Sequence, residues 1–120
     1  MTIVEFLQAR LAEDELTAQA AIDGSPGWRT YYDYRDVKDD DGHFIVLADS
    51  RYPTAAQAAH IARHSPARIL RECEIKRALI ADYLHRDAFG DQTGRGTLED
   101  TLKTLATAWS GHPDYDPAWS

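Results

Sequence analysis

Residues 28–49 read WRTYYDYRDVKDDDGHFIVLAD, and this stretch decides the fold class. Two sets of side chains alternate along residues 28–37: Trp28, Thr30, Tyr32 and Tyr34 at even positions, and Arg29, Tyr31, Asp33 and Arg35 at odd positions. This period of two and the many aromatic side chains are typical of a β-strand. The DDDG of residues 39–42 supplies a turn, and the apolar run within residues 43–49 predicts the returning strand. The sequence therefore predicts a β-hairpin. Because two strands alone are marginally stable and the run is apolar on both sides, we expect both faces to be covered.

Helical patterns flank this hairpin. Apolar residues recur at helical spacing after a Thr2–Glu5 capping box, which predicts a helix over residues 3–21. Three more helices are expected after the hairpin: a short one over residues 53–63, a long one over residues 66–85 and a C-terminal one from Thr97 to Gly111.

Two segments lie outside these elements. Residues 86–97 are expected to form a flexible loop, and the aromatic tail at residues 111–120 to pack back on the core. The prediction is a single α+β domain over residues 1–120, with an N-terminal helix, a β-hairpin and then three helices.

Composition narrows the class of protein. The 120 residues carry a net charge of −7, which disfavours binding to nucleic acid or to an anionic membrane. No apolar run approaches the roughly 18–20 residues that span a bilayer, and the start of the sequence lacks a signal-peptide pattern. We expect a cytoplasmic protein. Its one cysteine, Cys73, excludes an internal disulfide and is expected to be a buried thiol.

A basic cluster interrupts this acidic chain at the junction of two predicted helices. Residues 60–77 hold five basic and two acidic side chains, a net +3 that leaves −10 for the remainder. Ser65 and Pro66 predict the start of a helix, whose free N–H groups suit an anion. The interpretation is a partner- or anion-binding patch, and its candidate residues are Arg63, His64, Ser65, Arg68 and Arg71. The alternative is a solvated helix face with an Arg68–Glu72 ion pair.

Two histidines in the same cluster could hold a metal. His60 and His64 are four residues apart, so they share a helix face, as in metalloprotease motifs. Ile61 stands where that motif needs its glutamate base, and two ligands are too few for a stable site. The alternative is a structural pair in which His64 interacts with the C-terminal end of a helix. No cofactor is expected, and a divalent metal at His60 and His64 is kept as an alternative.

Other candidates carry weaker signals. Asp39, Asp40 and Asp41 could bind a hard cation, but without the spacing of a calcium loop a solvated turn is the simpler interpretation. The aromatic residues Trp28, Tyr31, Tyr32 and Tyr34 could form a platform for stacked bases, although packing explains part of this cluster. No nucleotide-binding loop or serine nucleophile motif is present, so catalytic residues are not assigned.

Three stretches resemble a known family. They are HIARHSPARILRE at residues 60–72, VEFLQARLAEDE at residues 4–15, and the C-terminal stretch that begins at Leu102 and includes HPDY at residues 112–115 and Trp119. Together they resemble a family of small uncharacterised actinobacterial and actinophage proteins, a domain of unknown function. The resemblance implies origin and domain unity, and no activity. The ten arginines against three lysines fit the GC-rich genome of such an organism.

One departure from the family pattern bears on metal binding. The resemblance implies a Cys-x-x-Cys pair between the third and last helices of relatives, which suggests zinc. Residues 86–97 contain no cysteine here, so zinc at that position and a shared metal-dependent reaction are disfavoured.

The preferred hypothesis is a non-enzymatic module that binds an unidentified protein partner. The alternatives are a metal-assisted hydrolase or ligand-binding enzyme using His60 and His64, and nucleic-acid binding through the basic cluster. A second copy of the chain could also pair with the edge of the hairpin to form a homodimer.

Overall fold

The structure is a computed structural model, which describes the backbone of residues 1–120 and all side chains except those of residues 33 and 34. Its elements in chain order are α1 (Ile3–Ala20), β1 (Trp28–Tyr31), α2 (Tyr32–Arg35), β2 (Asp36–Asp39), β3 (Phe44–Val46), α3 (Ala55–Arg63), α4 (Pro66–Ala88) and α5 (Gln92–Ala106). Two short 3₁₀ turns follow at Thr107–Trp109 and Pro117–Trp119.

The described chain forms two compact units. The first comprises residues 1–13 and 73–120, and the second comprises residues 14–72. Helices α1 and α4 each contribute residues to both units. The assignment of a single domain to residues 1–120 stays a prediction.

The predicted α+β fold class is confirmed, with an N-terminal helix followed by an antiparallel sheet and then further helices. The sheet has three strands in the order β1-β2-β3, all antiparallel. Trp28 pairs with Asp39 at one end of the β1–β2 ladder, and Tyr31 pairs with Asp36 at the other. The predicted turn at residues 39–42 connects β2 to β3, where Gly42 takes a positive φ of 89°.

The prediction of one continuous strand over residues 28–37 is wrong. The chain reverses through α2, so that the predicted strand becomes two strands paired with each other. Tyr32 enters the reversal with a left-handed φ of 43°. Arg35, the last residue of α2, joins the reversal to the segment after β3. Its Nε donates to the Pro53 carbonyl at 3.1 Å, and its Nη2 donates to the Asp49 carbonyl. The stretch lacks Gly, Pro and Asn, and its aspartate at position 33 stands within an alternating aromatic pattern, so the sequence favours a continuous strand over a reversal.

The returning strand is shorter than predicted, because β3 covers three residues of the expected 43–49. The Asp36 carboxylate accepts a hydrogen bond from Ala48 N at 2.7 Å, just beyond the end of the strand. The expectation that both faces of this run are covered is also wrong, since Phe44 is 52% and Leu47 is 71% exposed.

Helix starts are predicted well where capping residues mark them. The Thr2–Glu5 capping box forms with distances of 2.9 and 3.1 Å. Thr54 and Gln57 form a second box at the start of α3, and Pro66 opens α4 as expected.

The segment assigned to a loop at residues 86–97 is mostly helical, because α4 continues to Ala88 and α5 begins at Gln92. The carboxylate of Asp91 caps α5 by accepting from Gly94 N at 2.9 Å. It also accepts from Arg86 Nη1 at 2.8 Å, which joins the end of one helix to the start of the next. Thr97, expected to cap the last helix, instead donates its hydroxyl to the Thr93 carbonyl within α5.

In the first unit, the C-terminal tail lies against α1. The buried Phe6 ring has its centroid 5.7 Å from that of His112, 6.0 Å from that of Tyr115 and 5.1 Å from the Trp119 ring. In α5 the side chains of Leu102 and Ala106 are buried. The aromatic residues that made the tail conspicuous in the sequence therefore pack on an aromatic side chain of the first helix.

Candidate functional site: the basic groove of the second unit

The predicted patch lies where α3 ends and α4 begins, within the second unit. His64 is the C-cap residue of α3, and its N–H contacts the carbonyls of His60 and Ile61. Ser65 and Pro66 follow and are buried, after which α4 starts. This tight connection fixes the exposed side chains on either side of it.

The His60 and His64 side chains lie next to each other at the end of α3. His64 Nδ1 lies 2.7 Å from the His60 carbonyl oxygen, so this nitrogen carries the proton and donates it. The ring centroids are 4.2 Å apart and the planes are inclined by 35°. Among the described residues, no group of three or more His, Cys, Asp or Glu side chains comes together as a metal site. Metal binding at His60 and His64 stays a prediction, and it lacks a third ligand in the described part of the chain.

The N–H groups at the start of α4 are already used within the protein. Ala67 N donates to the Pro26 carbonyl at 2.8 Å, and Arg68 N donates to Ser65 Oγ at 3.4 Å. Pro66 has no N–H to offer. Ser65 is itself buried, so its hydroxyl is not available at the surface. An anion here would therefore have to be bound by the exposed side chains around the start of α4.

Those side chains line a surface groove of about 460 Å³, here called the basic groove. Its residues are Ala56, Ala59, His60, Arg63, His64 and Arg68. The small alanines leave room above α3, while the arginines supply N–H donors. Arg71, the fifth residue predicted for the patch, is exposed on α4 but does not line the groove.

The two arginines of the groove are held differently. Arg68 Nε donates to Glu72 Oε1 at 2.8 Å, and its Nη1 donates to the Arg63 carbonyl at 3.3 Å. The expected Arg68–Glu72 pair is therefore present and orients the guanidinium. Arg63 is exposed, and its side chain forms no ion pair with any residue that the structure describes. The groove thus offers one oriented and one uncompensated guanidinium, which suit carboxylates or phosphates.

Asp39, which the sequence analysis assigns to a solvated acidic turn, is instead a buried acceptor in the segment that contacts the start of α4. Asp39 is fully buried, and its carboxylate accepts hydrogen bonds from the N–H groups of Ser25 at 3.2 Å, Asp41 at 3.0 Å and His43 at 2.8 Å. His43 Nδ1 lies 3.0 Å from the same carboxylate. We call this arrangement the Asp39 clasp.

The clasp joins the β2–β3 turn to the segment that supports the groove. It holds Ser25, and the next residue, Pro26, accepts the hydrogen bond from the first N–H of α4. A side chain at Gly24 would clash with His43 Nδ1 and lie 2.9 Å from Asp39 Oδ2, so the clasp requires glycine there. The sequence holds one signal: Asp39 shares the inward side of β2 with buried Val37.

The protonation of the clasp follows from its contacts. Burial by itself raises the pKa of Asp39, but the N–H donors of His43 and Ser25 and the His43 ring outweigh it and lower the pKa to about 2. The hydrogen bond and charge of Asp39 raise the pKa of His43 above 6.5, with support from Asp23 and Asp41. The carboxylate is therefore ionised at neutral pH and serves as an internal acceptor.

The remaining candidates do not form sites among the described side chains. Trp28 and Tyr31 lie on opposite faces of the sheet, since they pair with Asp39 and Asp36. Lys38 Nζ lies 4.0 Å from the Tyr31 ring centroid and 4.4 Å from that of Phe44, so the protein's own cation covers these rings. Tyr34, the fourth member of the expected platform, lies outside the described side chains.

Two further predictions concern single residues. Cys73 is buried, as expected, with 2% of its surface exposed, and it forms no disulfide. Asp39 does not belong to a solvated acidic turn, because its carboxylate is occupied by the clasp.

The architecture and groove define a small α+β protein with a basic cleft at a helix–helix junction. The chain belongs to the family of unknown function DUF6221, whose pattern matches residues 1–120. No curated protein and no solved structure matches the chain. In the described part of the chain, every helix is too short or too polar to cross a membrane.

Proposed function

We propose that this protein is a non-enzymatic, cytoplasmic interaction module of an actinobacterium or its phage, and that it binds an acidic segment of a protein partner in the basic groove. The observation that carries the proposal is the groove itself, where Arg63, Arg68 and two histidines surround an alanine-lined floor. A chain of net charge −7 that gathers cations at one cleft favours an anionic ligand there.

A segment of polypeptide suits this groove better than an isolated anion. The N–H groups of α4 that would bind a phosphate are taken by Pro26 and Ser65, so the groove offers spaced side-chain charges. Spaced cations match carboxylates distributed along a chain. The overall negative charge opposes nucleic acid, whose long-range repulsion would have to be overcome at physiological salt.

The experiment is affinity capture from an actinobacterial lysate, with and without nuclease treatment, with wild-type protein and an R63E/R68E variant as baits. We expect the wild type to retain a protein partner. The amount of partner captured by the variant should be at least about tenfold lower, because two attractive contacts become repulsive. An R51E/K103E variant has the same total charge and is the matched control, since neither residue lines the groove. It should capture the partner as the wild type does.

Two outcomes would contradict the proposal. Equal capture by R63E/R68E and wild type would contradict the groove as the binding site. Capture that disappears on nuclease treatment and falls steeply with salt would indicate nucleic acid instead. Melting curves of both variants must lie close to that of the wild type, because the substituted side chains are not part of the core.

A further inference from the structure

We infer that the ligand of the basic groove carries a bulky uncharged side chain next to its carboxylates, and that this side chain enters an adjoining apolar pocket beside Trp28. The inference rests on the proposed function and specifies the ligand: a short peptide with Asp or Glu flanking one aromatic or large aliphatic residue. The pocket also belongs to the second unit, and we call it the Trp28 pocket.

The pocket and the groove share a wall. The Trp28 pocket has a volume of about 300 Å³ and is lined by His64 together with Ala18, Ala21, Trp28 and Ile69. His64 also lines the basic groove. One residue therefore separates a cationic surface from an apolar concavity, so a ligand on one is within a side chain's reach of the other.

The size of the pocket sets the kind of occupant. Pockets for complete small molecules span roughly 300–1,000 Å³, so this one lies at the lower limit. It accommodates a single large side chain more readily than a cofactor. The apolar walls favour an aromatic or aliphatic group, whose burial is a main source of affinity in peptide recognition.

The charges around the two concavities assign the parts of the ligand. Among the residues that line the Trp28 pocket there is no arginine or lysine, so this pocket offers a carboxylate no such cation. Arg63 and Arg68 lie in the wall of the groove and favour one. An uncharged anchor in the pocket and acidic residues in the groove satisfy both surfaces, whereas the reverse arrangement satisfies neither.

The N–H group of Trp28 takes no part in this recognition. Its indole Nε1 is buried, and none of the described residues accepts a hydrogen bond from it. Because an atom that is closed to solvent is also closed to a ligand in an open pocket, the Trp28 side chain offers the ligand its apolar ring surface.

The test uses a random heptapeptide display library selected on the wild-type protein. We expect enriched peptides to place Phe, Trp, Leu, Ile or Met within three residues of Asp or Glu. The best peptide is then synthesised with a fluorescein label, alongside a version in which Ser replaces the apolar residue. By fluorescence anisotropy the Ser version should bind at least about tenfold more weakly.

Protein variants locate the anchor. Ala21→Phe places a ring in the pocket and should weaken the labelled peptide about tenfold. Ala20→Phe is the matched control, because Ala20 is exposed, neighbours Ala21 and does not line the pocket. It should bind within twofold of wild type. R63E/R68E should also weaken binding at least tenfold.

The failures are distinguishable. If the Ser peptide and Ala21→Phe bind normally while R63E/R68E weakens binding, the anchor pocket is contradicted and the groove stands. If R63E/R68E leaves peptide affinity unchanged, the proposed function itself is contradicted. A selection that enriches no acidic peptide contradicts both.

Discussion

Two buried charges, one in each compact unit, are held in opposite ways. The Asp39 carboxylate in the second unit is fully buried and accepts three backbone N–H groups as well as the His43 ring. The Arg10 side chain in the first unit is 6% exposed and donates to Glu13 at 2.9 Å. Its Nη1 lies 2.8 Å from His112 Nδ1, but no described residue accepts from its buried Nε.

The two charges differ in the sequence separation between each charged residue and its hydrogen-bond partners. The partners of Asp39 are between 2 and 14 residues away, so the clasp forms with its own turn and the nearby segment. Arg10 and His112 are 102 residues apart. The carboxylate thus defines local backbone geometry, whereas the guanidinium secures a distant tail. Both carboxylate oxygens of Asp39 accept hydrogen bonds, so we expect substitution of Asp39 to destabilise the protein more than substitution of Arg10 does.

The largest effect is expected for Asp39→Ala. The substitution leaves the N–H groups of Ser25, Asp41 and His43 without their acceptor, and buried unpaired donors are costly. We expect the melting temperature to fall by roughly 10 °C or more. Peptide binding should also be lost, because Ser25 and Pro26 would no longer hold the start of α4 beside the groove. Differential scanning calorimetry measures the first change.

Asp41→Ala is the matched control for this prediction. Asp41 belongs to the same acidic turn, but its side chain is exposed and only its backbone N–H enters the clasp. Its melting temperature should stay within a few degrees of wild type. Similar losses for both variants would mean that turn charge, and not the buried carboxylate, stabilises this region.

A smaller effect is expected for Arg10→Met, which keeps the aliphatic bulk and removes the donors. We expect a loss of about 1–3 kcal/mol in the free energy of unfolding, because charged hydrogen bonds to Glu13 and His112 disappear. The tail at residues 112–119 should exchange its amide hydrogens faster. Hydrogen exchange read by mass spectrometry resolves this segment from α1.

Glu13→Gln serves as the comparison for Arg10. The Glu13 side chain is 63% exposed, so losing its charge should cost less than about 1 kcal/mol. An Arg10→Met protein whose tail exchanges at the wild-type rate would show that the Phe6 ring contacts hold the tail without the guanidinium.

The same contrast explains what the sequence can predict. Motifs whose interactions join residues a few positions apart can be predicted from the sequence. The Thr54–Gln57 capping box and the Ser65-Pro66 helix start both form as expected. The burial of Asp39 was not predicted, because an acidic turn typically faces water and burial depends on the packing of residues that are distant in the chain. The reversal at Tyr32 contains no Gly, Pro or Asn, and its alternating aromatic pattern is the one expected of a continuous strand.

The candidate site shows the same division. Sequence spacing indicates the cations of the basic groove, because α3 and α4 place them at their adjoining ends. It does not reveal that Pro26 occupies an N–H group of α4, since that contact joins residues far apart in the chain. The Trp28 pocket is likewise formed by α1, β1 and α4 residues that no local pattern connects.

The smallest expected effect concerns pH and the clasp. Asp39 raises the pKa of His43 above its ordinary 6.5, so protonated His43 stabilises the folded state. This contribution is fully present below the ordinary pKa and is lost as pH rises through the raised pKa. Asp39, whose pKa is lowered from 3.8 to about 2, contributes above 3.8 and loses its contribution as pH falls through about 2. Both contributions are therefore complete between roughly pH 4 and 6.

His43→Gln tests this assignment, since it removes the titrating ring and leaves the backbone N–H of residue 43 for Asp39. The difference in melting temperature between wild type and variant should be constant between about pH 4 and 6 and should shrink at higher pH. The groups that face His43 are Asp39, Asp23 and Asp41, and all three are acidic, so their charges act in the same direction. A difference that grows with pH would mean that the clasp prefers neutral His43, which contradicts the role of Asp39 as an ionised acceptor. The effect is small because the His43 side chain is 52% exposed and water screens its charge.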